Sequence, residues 1–177
     1  NLTGLFIGSE GTLGIITEIQ LRLSPIPESL ISGICHFNSL DDAVNSVKEI
    51  IQFGIPIARI ELLNADQMEI SINFSKLLDL EIKPTLFFEF HGTENGNIES
   101  IESCKGISEE NGGFNFKWSK DCEERNKLWK ARHDVYWSVK ALKPNARVYA
   151  TDACVPITEL ADCIKFAEQE IQNLSLK

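Results

Sequence analysis

The stretch LFIGSEGTLGIITE, residues 5–18, is the most distinctive part of the sequence. Gly8, Gly11 and Gly14 recur within it, and this spacing indicates a backbone that bends tightly or that another group approaches closely. The stretch lacks the Lys of a Walker phosphate loop, and the residues after it predict a strand instead of the helix of a dinucleotide-binding motif. Spacing alone leaves two interpretations open: a tight turn without a ligand, or a loop that lays its amides against a nucleotide.

The residues after this loop predict a strand and then a domain boundary. Apolar and polar residues alternate over residues 15–23, which is typical of a half-buried strand. Two prolines follow, Pro25 and Pro27, and proline neither donates to a sheet ladder nor continues a helix. We therefore expect two parts, residues 1–26 and residues 27–177.

Strands and helices alternate through the second part. Short apolar runs predict strands at residues 30–37, 57–63, 85–91, 114–118 and 147–155. Amphipathic patterns that end at Gly or Pro predict helices at residues 39–53, 65–74, 98–110, 122–142 and 158–174. This order predicts an α+β fold in which one antiparallel sheet carries helices on one face, as in the ferredoxin-like arrangement.

The composition is that of an acidic chain with enough apolar residues for a core. The 177 residues are 43% hydrophobic, and 17 Lys and Arg against 26 Asp and Glu give a net charge of −9. This balance argues against a nucleic-acid partner, which recruits clustered basic residues. No apolar run approaches the ~20 residues that span a bilayer, so no transmembrane segment is expected. Five scattered cysteines without a C-x-x-C pair indicate reduced, mostly buried thiols.

The glycine-rich stretch closely resembles the last block of the FAD-binding domain in flavoproteins of the vanillyl-alcohol-oxidase type. The resemblance implies that residues 1–26 end such a domain, of the PCMH type, and that the loop packs against FAD largely through backbone groups. Carried over position by position, it implies that the residues near FAD are Glu10, Gly11, Thr12, Gly14 and Ile16.

Residues 27–177 resemble the C-terminal domain of the FAD-linked oxidases, which caps the flavin and supplies the substrate pocket. The stretches LFFEFHGT at 86–93, WKARHDVYW at 129–137 and TDACVP at 151–156 are similar to the mitochondrial D-lactate dehydrogenases of the cytochrome-linked type. This resemblance implies an oxidoreductase that converts a D-2-hydroxy acid such as D-lactate to the 2-oxo acid. Hydride would pass to FAD and electrons to cytochrome c, in the mitochondrion.

Arg132 is the residue of this region whose charge most clearly requires a partner of opposite charge. On a helix it shares one face with Leu128, Trp129, Val135, Tyr136 and Val139. A charge in such a stripe needs an anion, and the residues leave two choices open: a structural pair with Glu89 or Asp152, or a substrate carboxylate that fits the planar guanidinium. Resemblance to flavin dehydrogenases of 2-hydroxy acids implies the second choice, with Tyr136 and Trp129 as walls of the pocket.

Other positions bear on the substrate and on the alternatives. Ala150 stands where the resembling D-2-hydroxyglutarate branch carries a Lys, and this favours a small monocarboxylate. His91 ends a strand, where it either lines the pocket or is a satisfied edge histidine. Other enzymes of the family, a glycolate oxidase subunit and alkyl-glycerone-phosphate synthase, remain alternatives. Outside enzymes, the alternative is a non-catalytic ferredoxin-like module that binds a ligand.

The chain is predicted to be an internal piece of a longer protein, because it starts at Asn1 and its only Met is Met68. The family order places a His-rich block after Lys177, so we expect a divalent metal and the catalytic base there. No residue of the chain itself is predicted to be catalytic or to ligate a metal. We expect the piece alone to be inactive.

Overall fold

A computed structural model describes residues 1–77, 79–150 and 152–174 of the chain. Within these residues the strands are β1 (Ser29–His36), β2 (Arg59–Leu63), β3 (Thr85–Gly92) and β4 (Phe114–Ser119). The helices are α1 (Leu2–Phe6), α2 (Leu40–Gln52), α3 (Ala65–Ser75), α4 (Glu94–Glu110), α5 (Cys122–His133), α6 (Val135–Leu142) and α7 (Leu160–Asn173). A 3₁₀ turn, Ile157–Glu159, precedes α7.

The four strands form one antiparallel sheet in the order β2-β3-β1-β4. β1 connects through α2 to β2, and β3 lies between these two strands; β3 connects through α4 to β4, and β1 lies between them. This pair of split β-α-β units is the ferredoxin-like arrangement, as predicted. The α+β fold class is therefore confirmed.

Helices cover both faces of the sheet, so the prediction of helices on one face is wrong. Apolar residues of α2 and α4 pack with Ile31 and Phe88 on the first face. Residues of α3 and α5 pack with Ile34 and Phe87 on the second face. α3 is inserted between β2 and β3, and α5 follows β4; both add to the ferredoxin-like core.

Polar N-caps start the helices that fix this framework. Ser39 accepts a hydrogen bond from the backbone N–H of Asp42, and Asn64 accepts one from that of Gln67. Thr93 starts α4 in the same way, and Asp121 starts α5 by accepting from two backbone N–H groups. These side chains satisfy donors at the helix starts that have no intrahelical partner.

Three of the predicted elements differ from the structure. The strand predicted at residues 15–23 is absent, because strands are stable only when paired and no described strand pairs with this segment. The described part of the strand predicted at 147–155 is likewise not a strand, and Thr151 lies outside the described residues. The predicted helix 122–142 is two helices, which break at Asp134.

The cysteines are divided between the core and the surface. Cys35 and Cys104 are buried, and burial raises the pKa of each thiol to about 12. Cys122 and Cys154 are exposed and Cys163 is partly buried, so the expectation that most thiols are buried is wrong. Cys154 is exposed because the predicted strand around it does not form. Separately, no helix in the described residues has the length and hydropathy needed to cross a membrane.

Candidate functional site

The glycine-rich loop forms a tight turn with an open backbone. Gly8 and Gly11 have φ angles of 78° and 77°, in the left-handed region that favours glycine. The Thr12 N–H donates to the carbonyl of Ser9 over 2.9 Å, and the Thr12 hydroxyl donates to the same oxygen over 2.7 Å. A Cβ built at Gly8 or Gly11 would meet no atom within 4 Å. The backbone is therefore accessible on the side where these glycines lack a side chain.

This geometry fits the group that the loop is predicted to contact. The predicted FAD residues Glu10, Gly11, Thr12, Gly14 and Ile16 are all exposed and lie on one turn and the segment after it. Exposed backbone amides without covering side chains suit a flat ligand approached at close range. Binding of FAD by these five residues stays a prediction.

α5 places Trp129 against the second face of the sheet. Trp129 is 4% exposed, and the centre of its ring lies 5.9 Å from that of Phe87 on β3. Its indole N–H donates to the hydroxyl of Ser32 on β1 over 3.0 Å. Because so little of the ring is accessible, Trp129 lies beneath the neighbouring charges, and its role as a pocket wall stays a prediction.

Arg132 lies one turn after Trp129 and forms an ion pair with Glu61 of β2, through its Nε atom. The partner is therefore neither Glu89 nor Asp152, the two carboxylates expected from the sequence. The Arg132 side chain is 40% exposed, so it is not enclosed in an apolar stripe. Among the described residues, neither terminal nitrogen of its guanidinium has a hydrogen-bond partner.

A second arginine lies over the Trp129 ring. The guanidinium carbon of Arg59 is 4.7 Å from the centre of the Trp129 ring, within the range of a cation–π interaction. Its Nη2 lies 3.3 Å from Oε1 of Glu89, and the same oxygen is 2.6 Å from Nε2 of His91. We call the group consisting of Arg59, Glu61, Glu89, His91 and Arg132 the arginine cluster.

The strands explain why these five residues come together. Arg59 and Glu61 are two residues apart on β2, and Glu89 and His91 are two apart on β3, so each pair shares a face of the sheet. Arg59 lies directly opposite Glu89 in the antiparallel register. α5 crosses the same face and supplies Arg132. His91 lies at the end of β3 with its Nε2 against Oε1 of Glu89, and its role in lining a pocket stays a prediction.

Tyr136 belongs to a different helix from Arg132. Asp134 ends α5 and starts α6, and its carboxylate accepts hydrogen bonds from Lys130 over 2.6 Å and from Ser75 of α3 over 2.7 Å. These two bonds lower the pKa of Asp134 below its usual range. The single helical face predicted for Arg132 and Tyr136 is therefore wrong. Tyr136 is 43% exposed and contacts Trp137 edge to face.

Glu61 and Arg59 are not among the site residues predicted from the sequence. Both lie in the strand segment ARIELL, where a charged residue on an edge strand gives no signal of its partner. Only the register of β2 against β3 and the crossing of α5 bring them to Trp129. The cluster contains two arginines and two glutamates, so its formal charge is zero when His91 is neutral. Among the described residues the two terminal nitrogens of Arg132 have no hydrogen-bond partner, and such a pair of nitrogens suits bidentate binding of a carboxylate.

The described residues contain no group of three His, Cys, Asp or Glu side chains that could hold a metal ion.

Comparison with known proteins identifies the domain. The family profile described as FAD linked oxidases, C-terminal domain, matches residues 26–177. A probable mitochondrial D-lactate dehydrogenase of Danio rerio is 48% identical over 93% of this chain and 33% of its own length. The mitochondrial D-lactate dehydrogenase [cytochrome] of Arabidopsis thaliana is 38% identical over 99% of this chain and 31% of its own length.

Solved structures show the same fold. An alkyldihydroxyacetonephosphate synthase superposes on 97% of this chain and 36% of its own, with a TM-score of 0.66 at 17% identity. The 4-ethylphenol oxidase of Gulosibacter chungangensis superposes on 86% of this chain and 36% of its own, with a TM-score of 0.59 at 14% identity. The chain spans about a third of the length of the curated relatives that it matches. It belongs to the family of FAD-linked oxidases, and the part of that family that it matches is the C-terminal domain.

Proposed function

We propose that the full-length protein that carries these residues is an FAD-dependent dehydrogenase that oxidises D-lactate to pyruvate. Electrons would pass to cytochrome c, and the location would be the mitochondrion. Relatives that bear this name are similar over nearly the whole chain, from fish, plant and yeast. The observation that carries the proposal on the structural side is the open terminal fork of Arg132 on an exposed edge of the arginine cluster.

In this proposal the residues of the chain bind and orient. Arg132 holds the substrate carboxylate through two parallel N–H···O bonds, which fixes the plane of the carboxylate and the direction of C2. Tyr136 borders the substrate, and Trp129 supports the cluster from beneath. The glycine-rich loop, with Glu10, Gly11, Thr12, Gly14 and Ile16, would hold FAD, largely through backbone groups. The chemistry that FAD supplies when bound is acceptance of a hydride.

The domain division is part of the same proposal. Residues 1–26 would be the end of the FAD-binding domain and residues 27–177 the cap over the substrate. The apolar side chains of residues 1–26 support this division, because Ile15, Ile19 and Leu21 are all largely exposed. Such a row of apolar residues is typical of a surface that another part of a protein covers.

An anaerobic titration of the full-length protein tests the function. We expect D-lactate to bleach the long-wavelength absorption band of the flavin, and L-lactate to leave it unchanged. A flavin band that bleaches with glycolate and not with D-lactate would assign the protein to the second candidate, because the GlcD subunit of glycolate oxidase from Bacillus subtilis is 30% identical over 93% of this chain. A protein that takes up no FAD would contradict both and leave the non-catalytic module.

Steady-state kinetics of the full-length protein with D-lactate test Arg132. Arg132→Lys keeps the charge and loses the planar fork, so we expect kcat/KM for D-lactate to fall by about 10- to 100-fold. Arg125→Lys on the same helix is the matched control, since Arg125 donates to the carbonyl of Leu30 and not toward the cluster. Equal kinetics for the Arg132 variant and the wild type would assign Arg132 to a structural pair alone.

A further inference from the structure

Glu61 is the only residue of the arginine cluster in contact with Arg132 among the described residues. It lies in the middle of β2, opposite Phe87 of β3, and its carboxylate reaches the Nε atom of Arg132 on α5. The contact therefore joins an edge strand of the sheet to the last turn of a helix. A flexible side chain at a helix end is thereby tied to the rigid part of the fold.

The atom through which Arg132 is held decides what the contact can do. A guanidinium presents donors on Nε and on both terminal nitrogens, in a fixed plane. Glu61 takes the Nε side, which leaves the two terminal nitrogens free to bind a second carboxylate in the same plane. We infer that Glu61 is a positioning residue that aims the terminal fork of Arg132 at the carboxylate of the 2-hydroxy acid. The inference rests on the proposed function and extends it by one residue.

In this geometry, the gain from holding the Arg132 side chain in place outweighs the repulsion between Glu61 and the substrate carboxylate. Glu61 and the substrate carboxylate carry the same charge, but the positive guanidinium of Arg132 lies between the two anions and offsets their repulsion. An unrestrained Arg side chain populates many rotamers, and fixing it on binding weakens affinity. Glu61 fixes it beforehand.

Arg59 does not share this role. Its guanidinium lies over the Trp129 ring and pairs with Glu89, which also holds His91. Both its face and one terminal nitrogen are therefore engaged. The cluster thus has one guanidinium that contacts both a ring and a carboxylate, and one that is paired at its Nε atom. The difference predicts that Glu61, and not Glu89, governs substrate affinity.

A double-mutant cycle in the full-length flavoprotein tests the inference. The variants are Glu61→Ala, Glu61→Gln, Arg132→Lys and the double variant of Glu61→Ala with Arg132→Lys, each assayed for kcat and KM with D-lactate. Loss of preordering for one long side chain corresponds to a rise of up to about tenfold in KM for Glu61→Ala. Glu61→Gln keeps an acceptor for Nε and should raise KM less. In the Arg132→Lys background, Glu61→Ala should change KM by less than about twofold.

The matched control is Glu94→Gln, which removes one partner of the exposed Lys120–Glu94 pair. It should leave both constants unchanged. A Glu61→Ala effect of equal size in both backgrounds, an unchanged KM, or a lower KM in Glu61→Ala would each overturn the inference. A lower KM would mean that Glu61 competes with the substrate for Arg132.

The outcome is distinct from that of the proposed function. If D-lactate fails to reduce the wild-type flavin, the proposed function is wrong, and the cycle is then measured with the 2-hydroxy acid that does reduce it. If the wild type is reduced and Arg132→Lys is impaired while Glu61→Ala is normal, the function stands and the positioning role is wrong. A flavin that no 2-hydroxy acid reduces would overturn both.

Discussion

The two faces of the sheet are made by neighbouring residues of the same strands, yet they differ in chemistry. On the first face, the strand residues are apolar: Ile31, Cys35, Ile60, Leu62, Leu86, Phe88 and Phe90. On the second face, Ile34, Leu63 and Phe87 alternate with polar or charged side chains: Ser32, His36, Arg59, Glu61, Thr85, Glu89 and His91. One face is thus built for packing, and the other combines packing with groups that can recognise a charged ligand.

Ser32, His36 and Thr85 are the buried polar strand residues of the second face, and each has a hydrogen-bond partner. Ser32 receives the indole N–H of Trp129, and His36 bonds to Thr85. The charged residues lie at the edge strand β2 and at one end of β3, where they are partly exposed. Unpaired polar groups in such positions would cost more than the packing gains. The contrast predicts different responses to mutation on the two faces.

The largest effect is expected on the apolar face. Phe88 is fully buried and stacks between Phe90, at 6.3 Å, and Phe116, at 5.5 Å between ring centres. Phe88→Ala leaves a cavity among these rings, and we expect it to lower the free energy of unfolding by about 3–5 kcal/mol. Urea unfolding of the chain, followed by tryptophan fluorescence, measures the loss.

Phe166→Ala on α7 is the control for Phe88→Ala, because the Phe166 side chain is exposed. It should change the free energy of unfolding by about 0.5 kcal/mol or less. A loss below about 1 kcal/mol in Phe88→Ala would contradict the assignment of the first face as the main source of stability.

A smaller effect is expected where the second face joins packing to polarity. Trp129→Phe keeps a ring against Phe87 and removes the indole N–H, which leaves the buried hydroxyl of Ser32 without its donor. It also weakens the platform beneath Arg59. We expect a loss of about 1–3 kcal/mol in the free energy of unfolding.

Trp137→Phe on α6 is the matched control, since Trp137 is 57% exposed. Differential scanning calorimetry of both variants should show a lower Tm for Trp129→Phe only. A Tm shift of equal size in both variants would argue that the Trp129–Ser32 bond adds nothing to stability.

Burial on both faces was readable in the sequence, although the prediction placed helices on one face only. β1 and β3 contain nearly continuous apolar runs, LISGIC and TLFF, whereas a strand with one exposed face alternates strictly. The length of these runs is the signal that helices cover both sides. The strands β1, β3 and β4 lie within two residues of their predicted bounds, because Gly and Pro punctuate them.

The errors share one physical cause: the sequence of a segment does not specify which other segment it pairs with. Residues 15–23 and 147–155 have strand-like alternation, but alternation describes an amphipathic segment and not the strand that would pair with it. The break at Asp134 depends on Ser75, which is 59 residues away in sequence. The contact of Glu61 with Arg132 likewise depends on the sheet register and the crossing of α5. The chemistry of Arg132 was predictable from its type, and its partner was not.

The smallest effect is a pH dependence from His36, a buried residue of the second face. The Thr85 hydroxyl donates to the carbonyl of Lys83 over 2.8 Å, so its oxygen accepts a hydrogen bond from Nδ1 of His36, also over 2.8 Å. Burial, which disfavours the charged ring, lowers the pKa of His36 below its ordinary value of 6.5. Below about pH 6.5 the unfolded chain therefore binds a proton that the folded chain does not, and stability falls with falling pH by at most about 1.4 kcal/mol per pH unit. Above that pH the contribution of His36 to stability is constant.

Urea unfolding between pH 7.5 and 5.5 measures this change in the free energy of unfolding with pH. His36→Asn should flatten the slope, whereas His133→Asn, at an exposed position, should keep it. An unchanged slope in His36→Asn would show that the buried histidine is protonated as readily in the folded chain as in the unfolded one, so that the attraction of Glu81 for the charged ring outweighs the effect of burial.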